Sequence, residues 1–378
     1  MRYAMIMAGG AGTRLWPMSR QHLPKQLIPF VSRPGRDTPM SLIEIAAERL
    51  EGLVPDDRRF ICTGERYRSV IRDRLPAFTD HRILGEPAAR DTVNAVGFAA
   101  AVFQKMDPDA VFCVLTADHI IEPQDVFAEA MDLGFKLVED DPSRLVTFSI
   151  KPTEPATGFG YVEHGTAIDS LGGAPAKLTK AEGGAFVVQQ FKEKPDLATA
   201  EQYVASGKFG WNSGMFVFHA GTVMDCLSRF KPESYAGLAK IQAAFGTSDY
   251  QRVLDDIYPT LPKISVDYAL MEPASTDDNV TICGVDMPVN WLDVGSWPSY
   301  ADTIAPDASG NRLSGAPASV LTDSRGNLVV SDDPAHTIAL LGCEDLIVVR
   351  TADATLVMPR DRAQDLKKLH SDVRDDLK

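Results

Sequence analysis

Between residues 2 and 150 the chain alternates short apolar runs with stretches of helical spacing, and no other feature limits its fold as strongly. The strand-like runs are "RYAMIMA", "RRFICTG", "HRILG", "AVFCVLTADH" and "RLVTFSI". Between them lie "SLIEIAAERLEGL", a helical stretch from Glu65 to Leu75, "TVNAVGFAAAVFQKM" and "DVFAEAMDLGFKLV". Ser41 and Glu44 have the S-x-x-E form of a capping box, which marks a helix start. Strand and helix at this short spacing predict an α/β domain with a mostly parallel sheet covered by helices. Ligands of such sheets bind outside the carboxyl ends of the strands. Here those ends read "AGGAGTR", "GEPAARD" and "TADH".

After residue 150 the pattern loosens into mixed strands, loops and helices. Beyond about residue 305 it becomes a series of short β-like pieces, "PASVLTDS", "GNLVVSDD", "TIALLG", "DLIVVRT" and "ATLVMP", ahead of a polar helical tail from Arg360. Turn residues recurring through this stretch predict a small all-β unit. The boundary falls near "APDASGN", giving a domain over 1–304 and a smaller one over 305–378. A chain of 378 residues with 44% hydrophobic content has ample material for a core. Its net charge of -14 argues against a nucleic-acid surface, although a local cluster of cations can still hold an anionic substrate. Five scattered cysteines with no CxxC pair predict reduced thiols. No apolar run approaches the roughly 18 residues of a membrane span, and the N-terminus lacks a signal-peptide pattern. A cytoplasmic protein with no membrane partner is expected.

The segment "MAGGAGTRLWPMSRQHLPKQ" is the most irregular and most cationic loop, and it follows the first strand directly. It lacks the Lys-Ser/Thr pair of a Walker A loop, and Leu15 replaces the third glycine of a dinucleotide fingerprint. A remaining reading is a loop whose backbone N–H groups cradle a triphosphate, with Arg14 and Lys25 closing on it. The glycines alone fit a solvated surface turn equally well.

The whole string is more specific. "GGAGTRLWPMSR" followed by "PKQ" resembles the signature of the nucleotidyltransferases that activate sugar 1-phosphates. The Trp-Pro-x-Ser-Arg continuation resembles the mannose-1-phosphate guanylyltransferase branch. "GEPAARDT" is similar to that branch's nucleotide-base segment, "TADH" to its metal-binding strand end and "GFGYVEHG" to its sugar-side glycine loop. "FKEKPD", "WNSGMFVF" and "SVDYALME" are similar to its sugar-phosphate motifs, and "WLDVGSW" to its second metal loop. The C-terminal "CEDLIVVRTADATLVMPRDRAQDLKKL" also resembles the end of these enzymes. The resemblance implies a Rossmann-like catalytic domain with helices on both faces of its sheet and a small left-handed β-helix-like domain behind it.

It also implies roles. Joining a sugar 1-phosphate to a nucleoside triphosphate needs no general base, because the attacking phosphate oxygen is already ionised. Positioning two polyanions and neutralising them is the difficulty. Arg14 and Lys25 would bind the triphosphate, with Ala8, Gly9, Gly10, Gly12 and Thr13 forming its backbone cradle. Asp118 and Asp293 would hold Mg²⁺, which prefers one or two carboxylates beside phosphate oxygens; His119 reads as packing. Arg90, Asp91 and Thr92 would complete the nucleotide site. Glu86, right after its strand, would accept the N1–H and N2–H of guanine. Lys194 would hold the sugar phosphate, Glu193 and Asn212 would receive sugar hydroxyls, and Gly160 would let the ring approach; Asp293 also belongs to this side.

Two departures stand out. The family's Arg-Asn-Thr is Arg90-Asp91-Thr92 here, and its Tyr-Gly-Tyr is Phe159-Gly160-Tyr161. Several relatives carry a fused isomerase domain, and the length of this chain predicts no mannose-6-phosphate isomerase activity. The expected reaction is GTP plus mannose 1-phosphate giving GDP-mannose and pyrophosphate. Another hexose 1-phosphate or nucleotide, or a non-catalytic sugar-nucleotide-binding subunit, stays open as an alternative. The oligomeric state is not legible from the sequence; the apolar β appendage is a candidate subunit contact, which leaves a homo-oligomer such as a dimer open.

Overall fold

A computed structural model describes the chain from Met1 to Lys378 apart from Ala11, Pro34 and Pro317. It divides into two compact units, neither continuous in sequence. The first comprises Met1–Gly9, Ala46–Thr116 and Ile121–Trp291; the second comprises Gly10–Ile45, Ala117–Ile120 and Leu292–Lys378.

The first unit is built on a nine-stranded sheet. Its strands are β1 (Arg2–Met7), β2 (Arg59–Gly64), β3 (Ile83–Glu86), β4 (Val111–Thr116), β5 (Arg144–Ile150), β6 (Gly160–Ile168), β7 (Ala185–Lys192), β8 (Phe209–His219) and β9 (Thr281–Asp286). They lie in the order β3-β2-β1-β4-β8-β5-β9-β7-β6. The block β3-β2-β1-β4 is parallel, as is the pair β5 and β9. The sheet as a whole is nevertheless mixed rather than mostly parallel, because β8 runs antiparallel to β4, β5 and β6, and β7 antiparallel to β6 and β9. Strand–helix alternation implies direction only while each crossover is a helix. Past residue 150 that condition fails, and β8, buried on both faces along most of its length, fills the middle of the sheet in reverse.

Packing follows from alternation along the strands. Tyr3, Phe112, Phe216 and Phe218 share one core cluster with the helix Asp91–Met106. Gly97 lets that helix lie close to its neighbours: a Cβ there would come within 2.5 Å of Leu238. Val217, the intervening residue of β8, meets instead the helix Gln124–Asp140 at Gly134.

In the second unit, β10 (Arg312–Ser314), β12 (Leu328–Ser331) and β14 (Leu346–Arg350) stack in parallel, with β15 (Thr355–Pro359) antiparallel at the end. The shorter β11 (Val320–Thr322) and β13 (Ala339–Leu341) form a second parallel pair. Asn327 donates to the Asn311 side chain at 3.0 Å, so equivalent turns of successive rungs are tied through stacked amides. Leu15, Trp16, Trp297, Tyr300, Val330 and Val349 share this unit's core, which seats the signature loop against the rungs. The helix beginning at Leu42 carries the expected cap, with Ser41 N–H donating to Glu44 Oε2 at 2.7 Å. Among the described residues, no helix is long and apolar enough to cross a membrane.

Candidate active site

Within the second unit, three segments remote in sequence bring their charged residues together. Gly12 is left-handed (φ 63), and a Cβ on it would lie 2.7 Å from the Cβ of Lys25, so the two limbs of the loop close only over glycine. Ser19 Oγ donates to Gly12 O at 2.8 Å and fixes that closure. Thr13 and Arg14 begin a short 3₁₀ turn, and Lys25 begins another after Pro24. Lys25 is 8% exposed; its Nζ lies 2.7 Å from Asp118 Oδ2 and donates to Val294 O at 3.2 Å. Val294 N–H donates in turn to Asp118 O at 3.0 Å, which brings the "TADH" and "WLDVG" segments side by side.

Donor atoms of Asp118, His119 and Asp293 all lie within 4.8 Å of one another. Oδ1 of Asp293 is buried with no hydrogen-bond partner among the described residues. An anionic oxygen left so needs a cation, and two carboxylates beside an imidazole fit a divalent metal. Burial works to raise the Asp118 carboxyl, and Lys25 outweighs it with help from His119, so Asp118 is held below its ordinary value. A Cβ at Gly295 would lie 3.1 Å from Arg14 Nη2 and 3.4 Å from Asp293 Oδ1, so guanidinium and carboxylate flank one glycine. Arg14 also donates a long bond of 3.4 Å to Gln364 Oε1.

The remaining expected residues, apart from Gly10, belong to the first unit. Ala8 ends β1 buried, bonded through its N–H to Cys62 O at 2.8 Å; Gly9 and, in the second unit, Gly10 are exposed, with open space where a Cβ would stand. Glu86 closes β3, and its Oε1 accepts from Tyr258 at 2.6 Å. Burial pushes the Glu86 carboxyl up against that bond and one from Cys62. Arg90 and Thr92 turn toward protein: Arg90 donates to Pro259 O, and Thr92 Oγ1 accepts from Val266 N–H at 2.8 Å. These two therefore hold the loop leading into "SVDYALME" and the start of that motif. Asp91 sits at φ 63, a left-handed position that Asn and Asp both tolerate, so the departure from Arg-Asn-Thr keeps the backbone requirement.

Farther along the sheet, Gly160, Glu193, Lys194 and Asn212 converge. A Cβ on Gly160 would come within 2.5 Å of Glu193 Oε2 and 3.4 Å of Asn212 Nδ2. Glu193 is 5% exposed and ion-paired with Lys194, whose backbone is left-handed at φ 45. Burial pulls the Lys194 ammonium down, but the bond and charge of Glu193 together with the Asp267 charge outweigh it and the net shift is upward. Thr147 Oγ1 donates to Asn212 Oδ1 at 2.7 Å, and Asn212 Nδ2 donates to Asp267 Oδ1 at 3.0 Å. Sequence reasoning assigned no role to Asp267 or Tyr258. The motif "SVDYALME" contained the signal for Asp267, but a lone Asp beside Tyr has no spacing that singles it out.

Residues 3–310 match the family model of the nucleotidyl transferases, and residues 318–371 match the MannoseP isomerase/GMP-like beta-helix domain. The chain belongs to the nucleotidyl transferase family. Over 371 residues it is 38% identical to a mannose-1-phosphate guanylyltransferase of Klebsiella pneumoniae, covering 97% of this chain and 73% of that one. It is 35% identical over 379 residues to the mannose-1-phosphate guanylyltransferase of Escherichia coli K12, covering 99% and 74%. A solved structure described as mannose-1-phosphate geranyltransferase, from Thermus thermophilus, superposes with a TM-score of 0.81 at 30% identity over 98% of both chains. Within the nucleotidyl transferases, the chain is thus a member of the mannose-1-phosphate guanylyltransferase family.

Proposed function

We propose that this chain transfers GMP from GTP to α-D-mannose 1-phosphate, releasing GDP-mannose and pyrophosphate. The observation that carries the reading is the meeting of Lys25, Asp118, His119 and Asp293 in one cluster, in a chain of this family. An ionised oxygen of the sugar phosphate attacks the α-phosphorus. The new P–O bond forms as the bond to the bridging oxygen of the β-phosphate breaks, and pyrophosphate leaves with that electron pair. Catalysis is then positioning and charge neutralisation.

Arg14 and Lys25 neutralise the triphosphate, cradled by the backbone of Ala8, Gly9, Gly10, Gly12 and Thr13. Asp118 and Asp293 would hold Mg²⁺, which when bound supplies positive charge to the phosphate oxygens. Glu86, oriented by Tyr258, reads guanine; a carboxylate has about four lone-pair sites, so the tyrosine bond leaves capacity for two base donors. Arg90, Asp91 and Thr92 support this nucleotide side. Lys194 takes the sugar phosphate, and Glu193, Asn212 and Gly160 take the ring. In the same reading, residues 1–304 act as a Rossmann-like catalytic domain and 305–378 as a left-handed β-helix-like one. The setting is cytoplasmic, and the dimer contact falls on exposed apolar side chains of the rungs such as Val320 and Leu341.

The test measures pyrophosphate release with each of four nucleoside triphosphates against mannose 1-phosphate and glucose 1-phosphate. GTP with mannose 1-phosphate should be preferred, and Glu86→Gln should weaken GTP far more than ATP or UTP. No turnover with any pair would refute the reading.

A further inference from the structure

Asp267 has no part in the chemistry above, yet its carboxylate is held from several sides. It opens a π-helical turn, Asp267–Met271, a rare geometry that recurs at functional sites. Asn212, itself oriented by Thr147, donates to its Oδ1 at 3.0 Å. Two buried polar side chains thus aim one acid.

Beside it stands a buried acid, Glu193, and the cation that faces both is Lys194. Burial, together with the Glu193 charge, pushes Asp267 up to about 6, against the pull of Lys194 and Asn212. Tyr268 and Glu272 lie on the same segment; Glu272 Oε1 accepts the Glu193 N–H at 3.3 Å. When both acids are ionised the cluster holds more negative than positive charge around the buried Glu193. Such an arrangement is relieved by a ligand that supplies hydrogen-bond donors without adding negative charge near the acids. The absent Cβ of Gly160 lets the Glu193 carboxylate lie against its backbone: a Cβ there would come within 2.5 Å of Oε2. Adjacent hydroxyls on a sugar ring are such donors, and a phosphate on the same molecule draws on Lys194.

We propose that Asp267 is a specificity-determining residue of the sugar subsite: together with Glu193 it accepts hydrogen bonds from hexose hydroxyls, selecting a polyhydroxylated 1-phosphate. The inference rests on the reading of the chain as a sugar-1-phosphate guanylyltransferase. A purely structural Asp267, anchoring its helical turn, would affect all substrates alike.

Steady-state kinetics of the full chain with GTP separate the two roles, using mannose 1-phosphate and its monodeoxy analogues. Asp267→Asn should raise KM for mannose 1-phosphate about 10- to 100-fold, the factor of one hydrogen bond to a charged group, and leave KM for GTP unchanged. One monodeoxy analogue, lacking the hydroxyl read by Asp267, should react equally well with both proteins. Mannose 1-phosphate itself takes up a proton at about pH 6, so the two proteins are compared: the wild-type KM for the sugar should rise more steeply than the variant's as pH falls through about 6, where the acid takes up its proton. Thr147→Val, which loosens Asn212 from behind, should raise the same KM by a smaller factor; it decides the matter if Asp267→Asn does not fold. Equal losses across all analogues, or a loss in kcat with KM unchanged, would overturn the proposal. No turnover of any sugar 1-phosphate by the wild-type chain overturns the underlying reading and this inference with it; normal turnover by both proteins overturns this inference alone.

Discussion

Two clusters in this molecule contain the same ingredients and do opposite things with them. Asp118, Asp293 and Lys25 meet in the second unit; Glu193, Asp267 and Lys194 meet in the first. In the second unit the lysine is buried and its ammonium lies 2.7 Å from Asp118, which it keeps low despite burial. Asp293 retains an oxygen with no partner among the described residues. That cluster stays anionic throughout the neutral range and suits a hard cation. In the first unit burial and the neighbouring Glu193 charge push Asp267 up to about 6, and the lysine, 53% exposed, does not offset them. That cluster sits near its titration edge and suits neutral donors. In both clusters burial pushes the acid up, and whether a close, buried lysine opposes it sets the chemistry of each.

Removing a carboxylate tests the contrast most severely. Asp293→Asn should lower kcat by about 10³-fold, since a metal-held charge is worth several kcal/mol in the transition state, and should weaken the response to added Mg²⁺ after chelation with EDTA. Asp267→Asn should leave that response intact; a matching loss there would erase the distinction. The two lysines come next. Lys25→Met should cost about 10²- to 10³-fold in kcat, as loss of a transition-state donor does, while Lys194→Met should act on KM for the sugar phosphate by about 10- to 100-fold. Initial-rate measurements varying each substrate separately would show which parameter moves, and a kcat effect at Lys194 would break the comparison.

The smallest effect is on stability. The folded-state value of Asp267 lies above the ordinary 3.8, so between 3.8 and about 6 the folded chain holds a proton that the unfolded chain has released. Stability therefore falls as pH rises through that window. Asp267→Asn should remove this penalty and stabilise the protein at pH 8 by about 2 kcal/mol. That is somewhat less than roughly 1.4 kcal/mol for each pH unit of the window would give, because the variant loses the charge on its bond from Asn212. The gain should disappear toward pH 4. Denaturant melts at the two pH values check it, and an equal change at both would mean that Asp267 is not the group responsible.

Much of this was legible from local pattern. Apolar runs marked β1 to β5, and the S-x-x-E cap of the helix from Leu42 formed as its spacing required. The strand direction past residue 150 was not legible, because an apolar strand buried on both faces reads the same in either direction. Arg90 and Thr92 show another limit: the motif marked them, but only packing turned their side chains to the backbone at Pro259 and Val266.

By itself the sequence determined the kinds of groups available: a glycine-opened loop with cations, acids at strand ends, and the order of motifs that identifies the family. Such information resides in residue type and near-neighbour spacing. Tertiary structure alone decided which acid meets which base, since Lys25, Asp118 and Asp293 are brought together from distant segments. It also decided how deeply each lysine is buried, and so gave two chemically similar clusters different charge states. Burial depth and long-range proximity depend on the whole packed chain, and no local stretch encodes either.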